Sequence, residues 1–301
     1  MPDAPPVTVI VLNWNGLADT QECLESLKSV SYPAMKIVVV DNGSENDEAG
    51  RLEGEFAGEM ELIRSDENLG FAGGANLGIR QALDDGAEYV LLLNNDTIVD
   101  PEFLARMLDA VREIPNFAAA CPTTYFYDRR DVLYSTGGSA SLWRGSARQI
   151  GRGKKMRSDR IGVTERDYAD GVCMLMAREA IETVGLLDED YFSYWEETDW
   201  CARARDAGLK CYWVPEAKIW HKAARSQEPD PGFQFLYRRN ALMFVRKRGT
   251  GLQFATALAT HALFFGPFYL LKHPTKIARI IPEGKALLWH ARNRPRQRSL
   301  R

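Results

Sequence analysis

The chain alternates short runs in which nearly every residue is apolar with longer stretches in which apolar residues recur every three or four positions. Residues 7–12 (VTVIVL), 36–41 (KIVVVD), 60–65 (MELIRS) and 88–96 (EYVLLLNND) have the composition of strands. Between them, residues 18–29 (ADTQECLESLKS) put Cys23, Leu24 and Leu27 at helical spacing, and a polar helical stretch follows residue 44. Residues 68–83 (NLGFAGGANLGIRQAL) read as a glycine-rich turn leading into a helix. Apolar strands alternating with helices of about a dozen residues predict βαβ units and a mostly parallel sheet.

A helix over 101–114 starts at Pro101, a favoured first-turn residue, and 117–122 (FAAACP) form a short strand. From 123 to 168 the alternation stops in a stretch rich in Gly, Ser and Arg, which predicts a β-hairpin excursion and a mobile loop beside the site. Order returns at 170–192, and 196–208 (EETDWCARARDAG) form an amphipathic helix ended by Gly208. Residues 210–215 (KCYWVP) are a late strand, and 216–221 (EAKIWH) lead to His221.

Beyond His221 the pattern changes. Residues 233–249 are helical and basic, and 252–271 carry no formal charge, although His261, Gln253 and a Gly-Pro pair interrupt them. The length of that run allows a membrane span. Its interruptions and flanking cations favour a helix in the membrane interface, and a buried core helix is the third alternative. The predicted division is therefore 1–221 followed by a basic helical region over 222–301.

The charge follows the same division. The net charge of -3 conceals a tail from Lys222 onward with 16 Lys and Arg against 3 acids, a balance of +13. A basic tail on an acidic body points to an anionic partner, and a membrane surface is preferred to nucleic acid because no nucleic-acid-binding motif accompanies the charge. Five cysteines without a CxxC pair read as buried thiols in a reducing compartment. The opening residues lack a basic segment ahead of the first apolar run, so they read as entry into a strand and not as a secretory signal.

Two strands end in acids, Asp41 after IVVV and Asp96 after VLLLNN. In a parallel sheet both lie along one carboxyl edge, where open α/β sheets bind ligands. Singly, each is explained as a turn residue. The glycines at 70, 73, 74 and 78 lack the GxGxxG spacing and follow the third strand, which argues against an NAD-dependent oxidoreductase but suits backbone lying close to a ligand. Glu196, Glu197 and Asp199 are candidate proton acceptors, or first-turn acids complementing a helix dipole. Arg238-Arg239 offers a grip on diphosphate or lipid phosphate, or a solvated basic helix.

Taken together, TVIVLNWNG, VVVDNGS, ENLGFAGGANLG, LLLNND, DEDYFSYWEETDWCARARDAG and PEAKIWH, in this order, resemble the inverting GT-A glycosyltransferases of family 2, rhamnosyltransferase-like group, over roughly residues 7–245. The resemblance implies a GT-A α/β fold with a helical carboxyl-terminal extension. It implies a catalytic domain over 1–221, with a nucleotide-binding part to about 122 and an acceptor-binding part from about 123. It implies transfer of a sugar, with rhamnose from dTDP-rhamnose as one candidate, to a lipid-linked or glycan acceptor in cell-surface polysaccharide synthesis. Asn13, Asn15, Asp41, Asn68, Gly70, Gly73, Asn76, Asn94, Asn95 and Gly171 would bind the nucleotide sugar. Asn94-Asn95-Asp96 stands where the family has its DxD, leaving Asp96 as ligand of a divalent cation, Mn²⁺ or Mg²⁺, with His221 as the second. Glu197 takes the place of the family's catalytic aspartate, and Trp195, Glu196 and Asp199 would contact the acceptor. The implied location is the cytoplasmic face of the cell membrane. The competing expectation is a non-catalytic module binding anionic surfaces.

Overall fold

Four runs of the amino-terminal half form parallel strands, and three of them, all but the edge strand, have a core on both sides. The computed structural model describes residues 4–156, 162–223, 231–265 and 281–293. It begins β1 (Val7–Asn13), α1 (Leu17–Lys28), β2 (Met35–Asn42), α2 (Glu48–Glu55), β3 (Glu61–Ser65), α3 (Gly70–Asp84) and β4 (Tyr89–Asn94). Strand β1 pairs in parallel with β2 and β4, and β2 with β3. Val9, Val11, Leu91 and Leu93 bury toward α1 and α4 (Phe103–Val111), while Ile10, Val38, Val40 and Leu92 bury toward α3. Both faces are covered, which explains why these strands read as continuous apolar runs. Fully burying each such side chain stabilises the fold by about 1.5–3 kcal/mol.

The glycines of α3 lie within the helix and serve its packing. A Cβ on Gly78 would stand 2.6 Å from Ile10, and one on Gly74 would stand 2.5 Å from Leu12. Helix and sheet approach each other more closely than side chains would allow.

The second half makes the sheet mixed. Its strands are β5 (Thr97–Val99), β6 (Phe117–Phe126), β7 (Leu133–Ser135), β8 (Gly138–Ser141), β9 (Ser146–Gln149), β10 (Thr164–Arg166), β11 (Cys173–Ala177) and β12 (Lys210–His221). The order is β10-β12-β6-β11-β4-β1-β2-β3, and β11 enters antiparallel between β4 and β6. The parallel reading therefore holds for the first half, and the antiparallel strand follows from the long excursion that precedes it. Strands β8 and β9 form the expected hairpin outside the main sheet, and residues 157–161 of the excursion lie outside the described residues. The two late apolar runs form one strand, β12, which continues past Pro215 through a register shift against β6.

Helices α5 (Arg178–Val184) and α6 (Glu196–Asp206) flank the sheet, and a 3-10 turn over Glu189–Tyr191 precedes α6. Helices α7 (Pro231–Arg248), α8 (Gly251–Thr260) and α9 (Ile281–Arg292) complete the described chain, with a π-helical turn over His261–Phe265. They share a core with the segment before α6: Tyr191, Trp195 and Ala202 pack with Leu242, Phe244, Val245 and Ala257. Of the uncharged run, α8 and the π turn are described, and 266–271 lie outside the described residues. No helix of the described residues is long and apolar enough to cross a membrane. All five cysteines are buried and free.

Candidate active site

The β1–β2 and β1–β4 registers set Asn13 beside Asp41 and Leu12 beside Asn94, so the polar strand ends fall on one edge. There Asn13 Nδ2 donates to Asp41 Oδ1 at 2.8 Å, to Ser44 Oγ at 3.1 Å and to Glu48 Oε2 at 3.0 Å. Asn13 Oδ1 accepts from Thr20 Oγ1 at 2.7 Å, and Thr20 in turn accepts from Asn95 Nδ2 at 2.9 Å. Asn15, in the left-handed region at φ 50, receives the Glu45 amide at 2.8 Å. The expected group Asn13, Asn15, Asp41 and Asn95 is thus one connected network. Ser44, Glu48 and Thr20 are further members that the strand-end acids alone did not indicate.

Beside this edge opens a cleft of about 1010 Å³ lined by Asn94, Asp96, Gly171, Trp195, Glu196, Glu197 and His221, among others. Pairing of β5 with β12 brings Thr97 opposite His221, and Asp96 Oδ1 lies 3.0 Å from His221 Nε2. The Lys222 amide donates to the Asp96 carbonyl at 2.9 Å. Tyr134 packs its ring against His221 edge-on at 4.5 Å, and His221 Nδ1 is buried without a partner. Two ligands at right angles around one octahedral ion, each about 2.1 Å from it, are about 3 Å apart. The Asp96–His221 spacing fits that arrangement. Among the described residues no group of three or more His, Cys, Asp or Glu could hold a metal, so bound phosphate or water oxygens would complete such a shell.

The third wall is the start of α6. Glu197 lies against Gly171, whose Cβ position is 3.4 Å from Glu197 Cγ. Burial, reinforced by the negative charge of Asp170, raises the Glu197 carboxyl from 4.5 to about 7. Glu196 is raised well above the usual carboxylate range, first by burial and then by Glu197, and its Oε2 has no partner. Asp170 is itself fixed, accepting from Gln149 Nε2 at 2.7 Å and from the Val172 amide at 3.1 Å. Asp170 was not among the expected residues. Its signal is the DG pair that opens β11, because the amino end of an antiparallel strand lies beside the carboxyl end of β4.

The segment that presents α6 is strained. Phe192, Tyr194 and Trp195 all have positive φ, at 63°, 70° and 78°, a conformation that costs non-glycine residues of order 1–3 kcal/mol each. Asn240 of α7 holds it by donating to the carbonyls of Tyr191, Ser193 and Tyr194, each at 2.8 Å.

Several residues of the expected contact set also have partners within the fold. Asn76 is buried and bonded on both sides to Leu187, with a further bond to Glu189. Asn68 Oδ1, just before α3, accepts from the Gly70 amide and from Asn42 Nδ2. A Cβ on Gly70, at φ 73, would meet Phe192, and one on Gly73 would meet Leu69, so both glycines are needed for packing within the fold. Asp199 is fully buried between Arg203 and Arg248, each at 2.9 Å, and accepts from the Tyr191 hydroxyl. Trp195 borders the cleft at 2% exposure, but its ring packs on Phe244 and Tyr237. The aromatic side chains exposed there are Tyr194 and Tyr237. Arg239 is used within the fold, holding the carbonyls of Asp190 and Tyr191, and Arg238 pairs with Glu283. His261 and His290 are core histidines with hydrogen-bond partners, and His273 lies outside the described residues.

Comparison with known proteins places the chain in a family. The chain is 28% identical over 200 residues to the low-salt glycan biosynthesis hexosyltransferase Agl10 of Haloferax volcanii, a match covering 66% of this chain and 61% of that protein. It is 26% identical over 270 residues to the N-acetylglucosaminyl-diphospho-decaprenol L-rhamnosyltransferase of Mycobacterium tuberculosis, covering 83% and 87% of the two chains. The fold is similar to that of the mannosyltransferase PcManGT from Pyrobaculum calidifontis, solved with GDP-Man and Mn²⁺, with a TM-score of 0.62, 18% identity and coverage of 96% and 88%. The model of glycosyl transferase family 2 matches residues 8–185, more than half the chain. With its mixed sheet, its helical carboxyl-terminal region and these relatives, the chain belongs to glycosyltransferase family 2 and is a glycosyltransferase of GT-A fold.

Proposed function

We propose that the chain is an inverting, metal-dependent hexosyltransferase that moves a sugar from a nucleotide diphosphate to a lipid-linked or glycan acceptor in cell-surface polysaccharide synthesis. The leading donor is dTDP-rhamnose, because a dTDP-rhamnosyl transferase of Shigella flexneri, 26% identical over 229 residues, and the mycobacterial rhamnosyltransferase are among the relatives. The observation that carries the reading is that one cleft holds the Asp96–His221 pair and a carboxyl, Glu197, kept near neutrality. A general base works best when its pKa is close to the working pH.

In this reading Glu197 takes the proton of an acceptor hydroxyl as that oxygen bonds to the anomeric carbon. The bond from that carbon to the diphosphate oxygen breaks, and the diphosphate leaves with the electron pair. Asp96 and His221 would hold a divalent cation, whose chemistry is to offset the charge of the diphosphate. An imidazole ligand favours Mn²⁺ over Mg²⁺. The Asn13–Asp41 network would receive the nucleotide base, and Asn94 and Gly171 would lie along the sugar. Glu196, Tyr194 and Tyr237 would border the acceptor.

The same reading puts the protein on the cytoplasmic face of the cell membrane. The basic tail supports it, as do Leu252 at 65% and Leu263 at 66% exposure on the outer side of α8 and the turn after it. Exposed apolar residues beside cations suit an anionic leaflet.

The test is transfer from radiolabelled nucleotide sugars to membrane lipid extracts. Glu197→Gln keeps the side-chain size and removes the proton acceptor, so turnover should fall by about 10²–10⁴ with donor binding retained. Asp96→Asn should instead abolish the enhancement of donor binding by Mn²⁺ in calorimetry. Near-normal turnover in Glu197→Gln would refute the assignment of the base.

A further inference from the structure

We infer that Arg148 and Arg152, on and just after the β8–β9 hairpin, form a subsite for a phosphate or diphosphate group carried by the acceptor. The inference rests on the transferase reading and names the chemical class of that second substrate. Both arginines line the cleft that contains Asp96, Glu196, Glu197 and Asp170. Four carboxyls are thus near at hand, and yet among the described residues neither arginine forms an ion pair. Arg148 Nε donates to Ser139 Oγ at 3.0 Å, and Arg152 Nη1 donates to Gln149 Oε1. Both contacts are to neutral groups, so among the described residues neither guanidinium is paired with a carboxylate.

Arg152 is also held in place, as an ordinary exposed arginine is not. Its guanidinium lies 4.2 Å from the Tyr134 ring centroid and 5.3 Å from that of Phe126. The same Tyr134 ring packs against His221. Gln149, which accepts from Arg152, donates to Asp170, and Asp170 raises the Glu197 carboxyl. Arg152 is therefore linked by packing to the metal-ligand candidate and by hydrogen bonds to the neighbour of the proposed base. A guanidinium stacked on aromatic rings loses little further freedom when it binds, and its planar fork matches phosphate oxygens two at a time.

The chemistry favours the acceptor as the source of that phosphate. In the proposed function the donor's diphosphate is served by the Asp96–His221 pair, and among the described residues lining the cleft Arg148 and Arg152 are the cations on the hairpin wall. Lipid-linked sugars carry a diphosphate next to the sugar that receives the transfer, so an anion subsite near the base would align the attacking hydroxyl.

The experiment uses the full chain and geranyl diphosphate as the probe, titrated by calorimetry in chelator, and again in Mn²⁺ with saturating thymidine and uridine diphosphates. The parent protein should bind the probe in both conditions. Arg152→Gln and Arg148→Gln should each weaken it by about ten- to a hundredfold, as expected for loss of a charge-assisted hydrogen bond. Arg152→Lys should recover part of the loss, since it keeps the charge and loses the fork. Loss of probe binding on adding the nucleotide diphosphates would assign the arginines to the donor and overturn the inference. Equal probe affinity in parent and Arg→Gln variants would overturn it as well. A protein that binds no nucleotide sugar at all would instead defeat the transferase reading, so the two failures are distinguishable.

Discussion

Replacing Glu197 by Gln should make the protein more stable as well as less active, and the gain should depend on pH. Folding raises this carboxyl from 4.5 to about 7, chiefly by burial and then by Asp170. Below pH 4.5 the group is protonated in both the folded and the unfolded chain and contributes no difference. As pH rises from 4.5 the unfolded chain ionises it freely, while the folded chain resists ionisation until about pH 7. Stability is therefore lost across that window and stays lost above it. At about 1.36 kcal/mol for each pKa unit, the full difference is about 3 kcal/mol. The substituted amide does not titrate, so the variant's advantage should grow from near zero at pH 4.5 to about 3 kcal/mol at pH 8.5. Removing the Glu197 charge also relieves Glu196, whose carboxyl it pushes upward, and that acts in the same direction. Urea unfolding of the full chain in chelator, at four or five pH values, measures the difference. Glu216→Gln, on an exposed part of β12, is the control whose difference should stay flat. A flat profile for Glu197→Gln, or a variant less stable than the parent at pH 8.5, would show that the carboxylate is stabilised in the fold and would remove the physical basis for calling it a poised base.

Asn240→Asp keeps the shape of the side chain and replaces donors by acceptors opposite three carbonyls, so the strained segment before α6 should lose its clamp. Donor affinity should hold, turnover should fall by an order of magnitude or more, and stability should drop by about 2–4 kcal/mol from hydrogen bonds lost in a partly buried setting. An unchanged turnover would mean that the positive-φ residues hold their geometry without α7. The double substitution Leu252→Glu with Leu263→Glu alters exposed positions, so its melting temperature should match the parent while its co-sedimentation with anionic vesicles falls. Undiminished vesicle binding would locate any membrane contact elsewhere on the chain.

Strands β1, β2 and β4 were legible because apolar residues buried on two faces leave an unbroken signature, and the acids that end two of them stand out against it. Asp41 and Asp96 lie on the edge that this pattern predicts. What was not legible is which polar residue serves a ligand and which serves the fold. Asn76 and Asp199 have the composition of a binding site, yet their hydrogen bonds and ion pairs are satisfied by Leu187, Arg203 and Arg248. The α3 glycines suggest a ligand loop but answer to the packing of a helix on β1. In each case the deciding partner lies outside the local pattern, which carries no trace of it. Gln149 and Arg152 were hidden for a related reason: an excursion without periodicity gives no sign of which side chains return to the cleft.

The basic helices beyond residue 222 show the largest gap between pattern and placement. Their charge suggests an appendage, but they hold two walls of the cleft. Helix α7 fixes the segment before Glu197 through Asn240 and Arg239. From α8 and the turn after it, Thr256 donates to the Trp143 carbonyl and His261 bonds the Gly145 carbonyl, both at the tip of the β8–β9 hairpin that carries Gln149. His261 is tied in turn to Glu283 of α9 at 2.7 Å. Any force applied to these helices, such as docking on a membrane, is thus applied through named hydrogen bonds to both the proposed base and the proposed anion subsite. A truncation after residue 250 would remove the hairpin's support along with the surface helices. Loss of activity in such a truncation therefore cannot by itself measure membrane binding, and substitutions on the exposed face of α8 separate the two effects.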